Sequence, residues 1–447
     1  MNYKQIEEYI LNIPKFRPEG SIEQARKFYE FLGKPGGDST IVHVAGTNGK
    51  GSTCAYMNSV LTEAGYKVGM FTSPHLVSVR ERMRIGNILI SEQEFASIHK
   101  KLQNQLKLYN KKNCENINET TTEKENTDKR QGEYLPTFYE NFFFLAMLYF
   151  EEKKTDIIIL ETGLGGRLDA TNIIDAPKVA VITEIGKDHM EYLGDTYELI
   201  AKEKAGIIKK GSYVVYSGNR QETAKVIERK SQENGVLCKC VEKLEKQDYR
   251  FVDKKIDFSF RSRYYGYIPI RLNTCAIYQV ENARLALHAL ENMGMDISKE
   301  AIQKGMEKCR WEGRMEEVLP KVYLDGAHNE DGIEAFLSTV QRDECGGKRW
   351  LLFSAVADKE YINMKEKLIC SGLFSNIYAA PLKNVRGISK EKLEHIFCDI
   401  EGLQVRIANS TCEGLQEILA LKEEKDFVYV TGSLYLVGEI KEHFENK

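Results

Sequence analysis

Apolar and polar residues follow two periods along this chain, and the periods predict short strands separated by helices. Continuous β-branched and aliphatic runs are typical of strands buried on both faces. Such runs occur at 41–45, 67–71, 156–160, 178–183 and 211–216. Helical spacing occurs over 52–64, 91–110, 137–150, 199–208, 221–232 and 279–293. Strands that alternate with helices in this way predict an α/β fold with a mostly parallel sheet.

Two stretches depart from this alternation. Residues 246–278 alternate polar and apolar positions in short runs without a helix, which predicts a small antiparallel sheet. Residues 111–133 are polar, and Ile117 is their only aliphatic residue. Because nothing there can contribute to a core, we predict a mobile loop between two helices.

The alternation begins again after a helix predicted at 299–309. Residues 310–314, Arg-Trp-Glu-Gly-Arg, are a plausible linker. Further strands at 321–324, 349–356, 376–380 and 427–430, with helices between them, predict a second, smaller doubly wound α/β unit. We therefore expect a P-loop ATPase domain at 1–308, a linker at 309–316 and a Rossmann-like domain at 317–447.

Composition narrows the possible partners. The chain has 447 residues, with 63 basic against 66 acidic side chains and a net charge of −3. This balance argues against nucleic acid and a basic membrane surface, and it favours small molecules. No apolar run approaches the roughly 18 residues of a membrane span, and the N-terminus carries acids where a signal peptide needs an apolar core. We expect a cytoplasmic monomer whose ten cysteines, none in a CxxC pair, are reduced.

A glycine-rich turn joins the strand at 41–45 to the following helix, with the sequence Gly46-Thr-Asn-Gly-Lys-Gly-Ser-Thr53. Its glycines let backbone N–H groups approach a phosphate, and the helix start adds partial positive charge. Lys50 would reach the outer phosphates, and Ser52 or Thr53 offers a hydroxyl to magnesium. The strict P-loop pattern is not met, because its glycine and its Ser or Thr are replaced by Val44 and Gly51. A turn without a ligand is disfavoured, since a lysine there has no structural purpose.

Polar residues also stand at the ends of other predicted strands. Glu161 ends the run 156–160, and an acid beside a P-loop is a usual way to hold magnesium. Ser73 and His75 follow another strand, and His189 a third. A serine-protease-like interpretation of Ser73 and His75 is disfavoured, because a Ser-Pro-His run does not by itself pair a nucleophile with a base.

Eight sequence blocks together resemble the folylpolyglutamate synthase and dihydrofolate synthase family of the Mur-ligase superfamily. They begin at 46, 72, 81, 161, 188, 203, 324 and 430, and they include Gly-Leu-Gly-Gly-Arg-Leu-Asp-Ala-Thr-Asn at 163–172 and Leu-Asp-Gly-Ala-His-Asn at 324–329. The resemblance implies an active site between two domains. It also implies ATP-driven amide bond formation between a folate-type carboxylate and the amine of L-glutamate, through an acyl phosphate. This chemistry concentrates negative charge, which Lys50, backbone amides and metal ions would stabilise.

The resemblance also implies residue roles. Magnesium, with two sites expected, would be held by Ser73, Glu161, His189 and a carbamylated Lys204. The nucleotide would contact Asn48, Gly49, Lys50, Gly51, Ser52, Asn282, Arg314, Asp325 and His328. Substrate would contact Arg84 and Asp169, and the catalytic residues would be Lys50, Lys204 and His328.

Carbamylation of Lys204 has a physical reason as a hypothesis. An ammonium beside magnesium would be repelled, which lowers the pKa of the amine from its usual value of about 10.4. The neutral amine can then add carbon dioxide and become an anion that helps to hold the metal.

Several alternatives stay open. The acceptor could be dihydropteroate, a folate monoglutamate or both. A Mur-type enzyme that extends a cell-wall precursor shares the P-loop but is not expected to show the block at 163–172. A non-catalytic, nucleotide-gated binding protein would bind ATP without turnover. Residues 111–133 and the turn at 357–360 depart from the family pattern, and these departures leave the C-terminal glutamate and folate contacts open.

Overall fold

The computed structural model describes residues 1–14, 22–120, 133–357, 360–384, 386–398 and 403–445. Its helices are α1 Tyr3–Leu11, α2 Ile22–Phe31, α3 Lys50–Glu63, α4 Glu92–Thr120, α5 Phe138–Lys153, α6 Met190–Leu193, α7 Tyr197–Lys204, α8 Gln221–Glu233, α9 Tyr278–Glu291, α10 Lys299–Lys308, α11 Glu330–Val340, α12 Tyr361–Cys370, α13 Lys390–Ile396, α14 Thr411–Leu421 and α15 Leu434–Glu445.

The first sheet has eight strands, and its centre is parallel. Its strands are β1 Thr40–Ala45, β2 Val68–Phe71, β3 Met83–Ile85, β4 Ile88–Leu89, β5 Ile157–Glu161, β6 Val179–Ile182, β7 Tyr213–Ser217 and β8 Cys238–Val241, in the order β4-β3-β2-β5-β1-β6-β7-β8. The neighbours from β2 through β5, β1, β6 and β7 to β8 are parallel, and only β3 is reversed, being antiparallel to both β2 and β4. The carboxyl ends of β1, β2, β5 and β6 therefore meet at one edge, where ligands gather in open α/β sheets.

Hydrophobic cores cover both faces of this sheet. On one face, Val42 and Ile159 pack with α3, α9 and α10 and with a three-stranded antiparallel sheet, β9 Tyr249–Val252, β10 Lys255–Ser262 and β11 Gly266–Leu272. On the other face, Ile158 and Leu160 pack against aromatic residues of α5. Consecutive residues of a strand point to opposite faces, so the β-branched run of β5 is buried on both.

The second sheet has six strands. They are β12 Glu316–Leu319, β13 Val322–Leu324, β14 Arg349–Phe353, β15 Asn376–Ala379, β16 Gln404–Ile407 and β17 Phe427–Thr431, in the order β12-β13-β17-β14-β15-β16. Only β12 is antiparallel to its neighbour. The α/β class predicted from the sequence, with two mostly parallel sheets, is confirmed.

The structure corrects one predicted element and adds two that were not predicted. The predicted loop 111–133 is helical as far as Thr120, because α4 continues through an i,i+4 ion pair of Lys111 with Glu115 at 3.8 Å; residues 121–132 lie outside the described ranges. The edge strands β12 and β16 were not expected, because each has only four residues and both carry charged or polar positions. The turn at 357–360 falls partly on undescribed residues.

In the described ranges, no helix is both long and apolar enough to cross a membrane.

His43 is a buried histidine at the centre of the first sheet. Its Nε2 lies 2.7 Å from the hydroxyl of Thr171, which itself donates to Asp169 at 2.5 Å, so Nε2–H of His43 must be the donor. Burial, followed by the charge of Lys209, lowers the pKa of His43 to about 3. The folded protein therefore holds this imidazole neutral at any pH above that value.

We predict that His43 makes the protein sensitive to acid. In the unfolded chain this histidine has a pKa of about 6.5. Between that pH and the folded-state pKa of about 3, the unfolded chain binds a proton on His43 that the folded chain does not. The free energy of unfolding therefore decreases as the pH falls through this range, by up to about 1.4 kcal/mol per pH unit. His43→Gln removes that proton, so its urea midpoint should fall less between pH 6.5 and 5.5 than that of the parent. His395→Gln, in α13, is the control and should follow the parent; equal slopes in His43→Gln and parent would contradict the prediction.

Candidate active site

The turn between β1 and α3 is built for a ligand that needs backbone amides. Gly49 precedes the helix with φ 87°, and no side chain caps the helix start. Gly46 has φ 153°, and a Cβ there would overlap the side chain of Thr183. A Cβ on Gly49 would overlap Asn282. The first N–H groups of α3 thus remain available for an anion, as in phosphate-binding turns.

Two hydroxyls in the same turn suit a cation or phosphate. Ser52 Oγ and Thr53 Oγ1 are buried and have no hydrogen-bond partner in the described part of the chain. Buried polar atoms normally have a partner. The hydroxyl of Ser52 therefore fits the magnesium ligand predicted from the sequence.

Lys50, Glu161 and Ser73 come together beside this turn. Lys50 Nζ donates to the Thr47 carbonyl at 3.2 Å and lies 3.9 Å from Glu161 Oε1. Glu161 Oε2 accepts a hydrogen bond from the backbone N–H of Ser73 at 3.1 Å. Burial raises the pKa of Glu161 to about 7, against the opposing charge of Lys50. A cation placed here would stabilise the carboxylate, so the residues fit a bound magnesium.

The other two predicted metal ligands have different surroundings. Lys204 is buried, and its Nζ donates to the Gly46 carbonyl at 2.8 Å. His189 begins α6 with φ 53°, is partly exposed, and lies 3.8 Å from its neighbour Asp188. Within the described residues, no three His, Cys, Asp or Glu side chains are grouped closely enough to hold a metal. The set of Ser73, Glu161, His189 and Lys204 therefore stays a prediction.

A cavity of about 460 Å³ lies between the two sheets. Seven residues that the sequence predicted for the nucleotide line it, namely Asn48, Gly49, Ser52, Asn282, Arg314, Asp325 and His328. Lys50 and Gly51 continue the same turn. The first three and Asn282 come from the first sheet and its helices, whereas Asp325 and His328 follow β13 of the second. One cavity thus joins residues as distant in the sequence as Asn48 and Ser338.

Asp325 and His328 are held firmly in this wall. Asp325 accepts hydrogen bonds from the Tyr278 hydroxyl at 2.5 Å and from the backbone N–H of Met315 and Ala327. Burial raises the pKa of Asp325, and the charge of Arg314 opposes this. His328 Nδ1 lies 2.8 Å from the Gly326 carbonyl and must donate to it, which leaves Nε2, 3.6 Å from Asp188, on the other side of the ring.

Polar contacts join the two sheets beside the cavity. The side-chain amides of Asn48 and Asn329 exchange two hydrogen bonds, at 3.1 and 3.0 Å. Arg220 pairs with Asp331 at the start of α11, and its guanidinium lies 4.2 Å from the ring centre of Tyr197. The sequence reasoning did not find Arg220, Asp331 or Asn329, although Asn329 stands in the block at 324–329.

Trp311 was likewise assigned only to the linker. Its indole lies against Gly51, where an added Cβ would be 2.9 Å from the ring, and the Arg84 guanidinium is 5.3 Å from the ring centre. Arg84, predicted to contact substrate, therefore lies at the linker, where its Nε donates to the Glu81 carbonyl at 3.3 Å.

Asp169, the other predicted substrate contact, holds its own loop in this structure. Its carboxylate is buried and accepts four hydrogen bonds, from N–H of Gly163, Leu164 and Thr171 and from the Thr171 hydroxyl. These bonds occupy both oxygens. In this structure Asp169 positions the glycine-rich loop after β5, and its contact with substrate stays a prediction.

Comparison with known proteins places these features in a family. Residues 44–290 match the family described as Mur ligase middle domain. The chain is 34% identical over 459 residues to the dihydrofolate synthase/folylpolyglutamate synthase of Bacillus subtilis, covering 99% of each. It is 31% identical to the Escherichia coli protein of the same description, covering 89% of this chain and 85% of that one.

Solved structures agree over the whole chain. The E. coli FolC structure in complex with DHPP and ADP has a TM-score of 0.83 at 27% identity, covering 100% of this chain and 98% of that one. A bifunctional folylpolyglutamate synthase/dihydrofolate synthase of Yersinia pestis, complexed with AMPPNP and a Mn ion, has a TM-score of 0.80 at 26% identity, with the same coverage.

We predict that Gly49→Ala weakens nucleotide binding at least tenfold, or about 1.4 kcal/mol, because its Cβ must displace Asn282 from the cavity wall. Gly33→Ala is a matched control: Gly33 also has a left-handed φ, 85°, but a Cβ there meets nothing within 4 Å. Both variants pay the backbone cost of about 1 kcal/mol, and only Gly49→Ala should lose affinity in a titration with ADP. Equal affinities would show that the Gly49 contact with Asn282 is unimportant for binding.

Proposed function

Because this chain belongs to the dihydrofolate synthase and folylpolyglutamate synthase family of Mur ligases, we propose that it joins L-glutamate to a folate, at the expense of ATP, in the cavity between its two sheets. The observation that carries this proposal is the shared cavity itself. Phosphate-binding groups of the first sheet and Asp325 and His328 of the second line one space, with Lys50 and Glu161 beside it.

The reaction has two steps in this proposal. A carboxylate oxygen of the acceptor attacks the γ-phosphorus of ATP, which breaks the bond to ADP and leaves an acyl phosphate. The glutamate nitrogen then attacks the acyl carbon, the C–O bond to phosphate breaks, and the nitrogen loses a proton. Both steps need charge stabilisation and alignment, and no protein nucleophile.

Each part of the site has a task in this scheme. Lys50 and the free N–H groups of α3 stabilise the charge on the transferring phosphoryl group. Arg314 and His328 approach the same cavity from the linker and the second sheet, so both sheets must be together for the complete set. A bound magnesium, held by Ser52, Ser73 and Glu161, would neutralise phosphate charge.

Dihydropteroate and a folate are the two candidate acceptors. E. coli FolC has been solved with DHPP and ADP, and an E. coli relative is a dihydrofolate synthase/folylpolyglutamate synthase. A non-catalytic nucleotide-binding protein and a cell-wall ligase would each give a different assay result.

We predict glutamate-dependent ADP release. The protein is incubated with ATP and magnesium, with dihydropteroate or tetrahydrofolate, with and without L-glutamate. ADP should appear only when an acceptor and glutamate are both present. Lys50→Ala should lose at least about a hundredfold in rate because it removes a charge from the phosphoryl site, and Lys202→Ala, an exposed lysine of α7, should behave like the parent.

Two outcomes would overturn the proposal. Nucleotide binding without turnover on either acceptor would favour a binding protein. Turnover with a cell-wall precursor and none with a folate would favour another Mur-type ligase.

We further propose that Lys204 is carbamylated in the working enzyme. Its nitrogen would attack carbon dioxide and lose a proton, which gives a carbamate. Lys204 is buried against the P-loop carbonyl of Gly46, so an anion formed there stands next to the phosphate and metal site, where a magnesium ion would stabilise it.

We predict that Lys204→Ala is nearly inactive and that short carboxylates such as acetate partly restore it, because they replace the missing anion. Lys202→Ala serves again as the control and should neither lose activity nor respond to acetate. A native mass spectrum in bicarbonate should show the added carbon dioxide in the parent. An unmodified mass together with a fully active Lys204→Ala would rule the proposal out.

A further inference from the structure

Arg82 is the only arginine in the described ranges that is fully buried, with 5% exposure. It ends the short helical turn Val79–Arg82 that precedes β3. Its guanidinium carbon lies 4.9 Å from the ring centre of Phe142 and 5.3 Å from that of Phe138, both in α5. Its Nε donates to His75 Nδ1 at 2.9 Å. The two rings and this bond fix the plane of the guanidinium.

No carboxylate within the described residues forms an ion pair with Arg82. Its neighbour Glu81 instead accepts hydrogen bonds from the backbone N–H of Leu76, Val77 and Ser78, at 2.6 to 2.8 Å. Less buried arginines are paired, as Arg349 is with Asp343. The described part of the chain therefore gives the Nη groups of Arg82 no hydrogen-bond partner.

The partner that Arg82 does have is neutral. Nδ1 of His75 accepts from Arg82 Nε and so carries no proton, and the ring is therefore neutral and does not offset the charge of Arg82. The pKa of Arg82, lowered by burial to about 10, still leaves the guanidinium charged at neutral pH. A buried charge without a counter-charge is costly. A buried guanidinium without an ion-pair partner is suited to bind the anion of a ligand.

The position of Arg82 indicates which anion. Arg82 packs on Phe138 and Phe142 of α5, the helix that also carries Tyr139. Tyr139 donates to the Glu161 carbonyl, and Tyr435 stands at the start of α15 in the second sheet's unit. The segment before Arg82 also meets that unit, since the Leu76 carbonyl lies against Gly438. Arg82 therefore lies at the junction of the two units, on the Glu161 side of the phosphate turn.

We propose that Arg82 binds a substrate carboxylate at this junction, an inference that rests on the ligase function proposed above. Arginine presents a planar fork that matches a carboxylate with two hydrogen bonds. The carboxylate comes either from L-glutamate or from the folate acceptor. In both cases Arg82 fixes the carboxylate relative to the phosphoryl site at Lys50 and Glu161.

The test compares Arg82→Lys and Arg82→Gln with the parent and with Arg80→Gln. Arg80 is a matched control on the same helical turn, where its guanidinium lies 5.9 Å from the ring centre of Tyr3 and its Nη1 reaches the Ile90 carbonyl. Apparent KM values for ATP, glutamate and acceptor are measured in the ADP-release assay. Thermal unfolding of each variant is recorded, and if Arg82→Gln does not fold, Arg82→Lys carries the test alone.

We expect Arg82→Lys to raise the KM for one of the two carboxylate substrates, L-glutamate or the acceptor, at least tenfold. The KM for ATP should stay within twofold of the parent value. Arg80→Gln should resemble the parent. A rise for glutamate alone assigns the site to glutamate, and a rise for the acceptor alone assigns it to the folate. Unchanged values for both carboxylates, or an equal rise in the KM for ATP, would overturn the Arg82 site. A parent without turnover would instead overturn the proposed function, so the two failures are distinguishable.

Discussion

The close approach of one backbone turn to three separate parts of the chain is the constraint on which this structure depends. Gly46 lies against Thr183 at the end of β6, Gly49 against Asn282 in α9, and Gly51 against Trp311 in the linker. Each contact leaves no room for a Cβ. The turn can hold its amides toward the cavity only because the first sheet, a distant helix and the linker all press against it. Phosphate binding and the placement of the second sheet are thus consequences of the same packing.

The electrostatics of the site follow from burial. Each unit contributes one buried acid beside a cation, Glu161 near Lys50 in the first and Asp325 near Arg314 in the second, and burial raises the pKa of both acids. The protein therefore prepares a region in which charge is only partly compensated before substrates enter. Phosphates and carboxylates can then be held by groups that are already desolvated and oriented, which reduces the reorganisation needed during reaction.

Sequence reasoning found the features that are local. The run 41–45 and the glycines after it predicted β1, the turn and α3, because strand burial and left-handed backbone have direct sequence signals. The residues at the ends of other strands were also found, since the carboxyl edge of a parallel sheet is a general place for ligands. The end of α4 was missed because its polar residues resemble a loop, and side-chain pairs such as Lys111 with Glu115 are weak signals.

How deeply a given side chain is buried, and which side chains it contacts, could not be predicted from the sequence. Arg82 and Arg84 stand in the same short motif, and only the packing of α5 makes the first buried and leaves the second at the linker. The hydrogen bonds by which Asp169 holds its own loop were likewise not predicted, because its partners are set by how that loop folds. Such differences depend on tertiary contacts between segments far apart in the chain, which a single sequence does not contain.

The position of Trp311 also gives the protein an optical property. The chain has two tryptophans. Trp350 is buried in the second sheet, and its Nε1 donates to Asp426 at 2.9 Å, whereas Trp311 is partly exposed and lies against the phosphate turn with a guanidinium over its ring. Tryptophan fluorescence excited at the long-wavelength edge of the absorption band therefore has two components. The component from Trp350 is constant, and the component from Trp311 responds to the environment of the phosphate turn. The molecule carries both its own reporter of events at that turn and an internal reference, without any added dye.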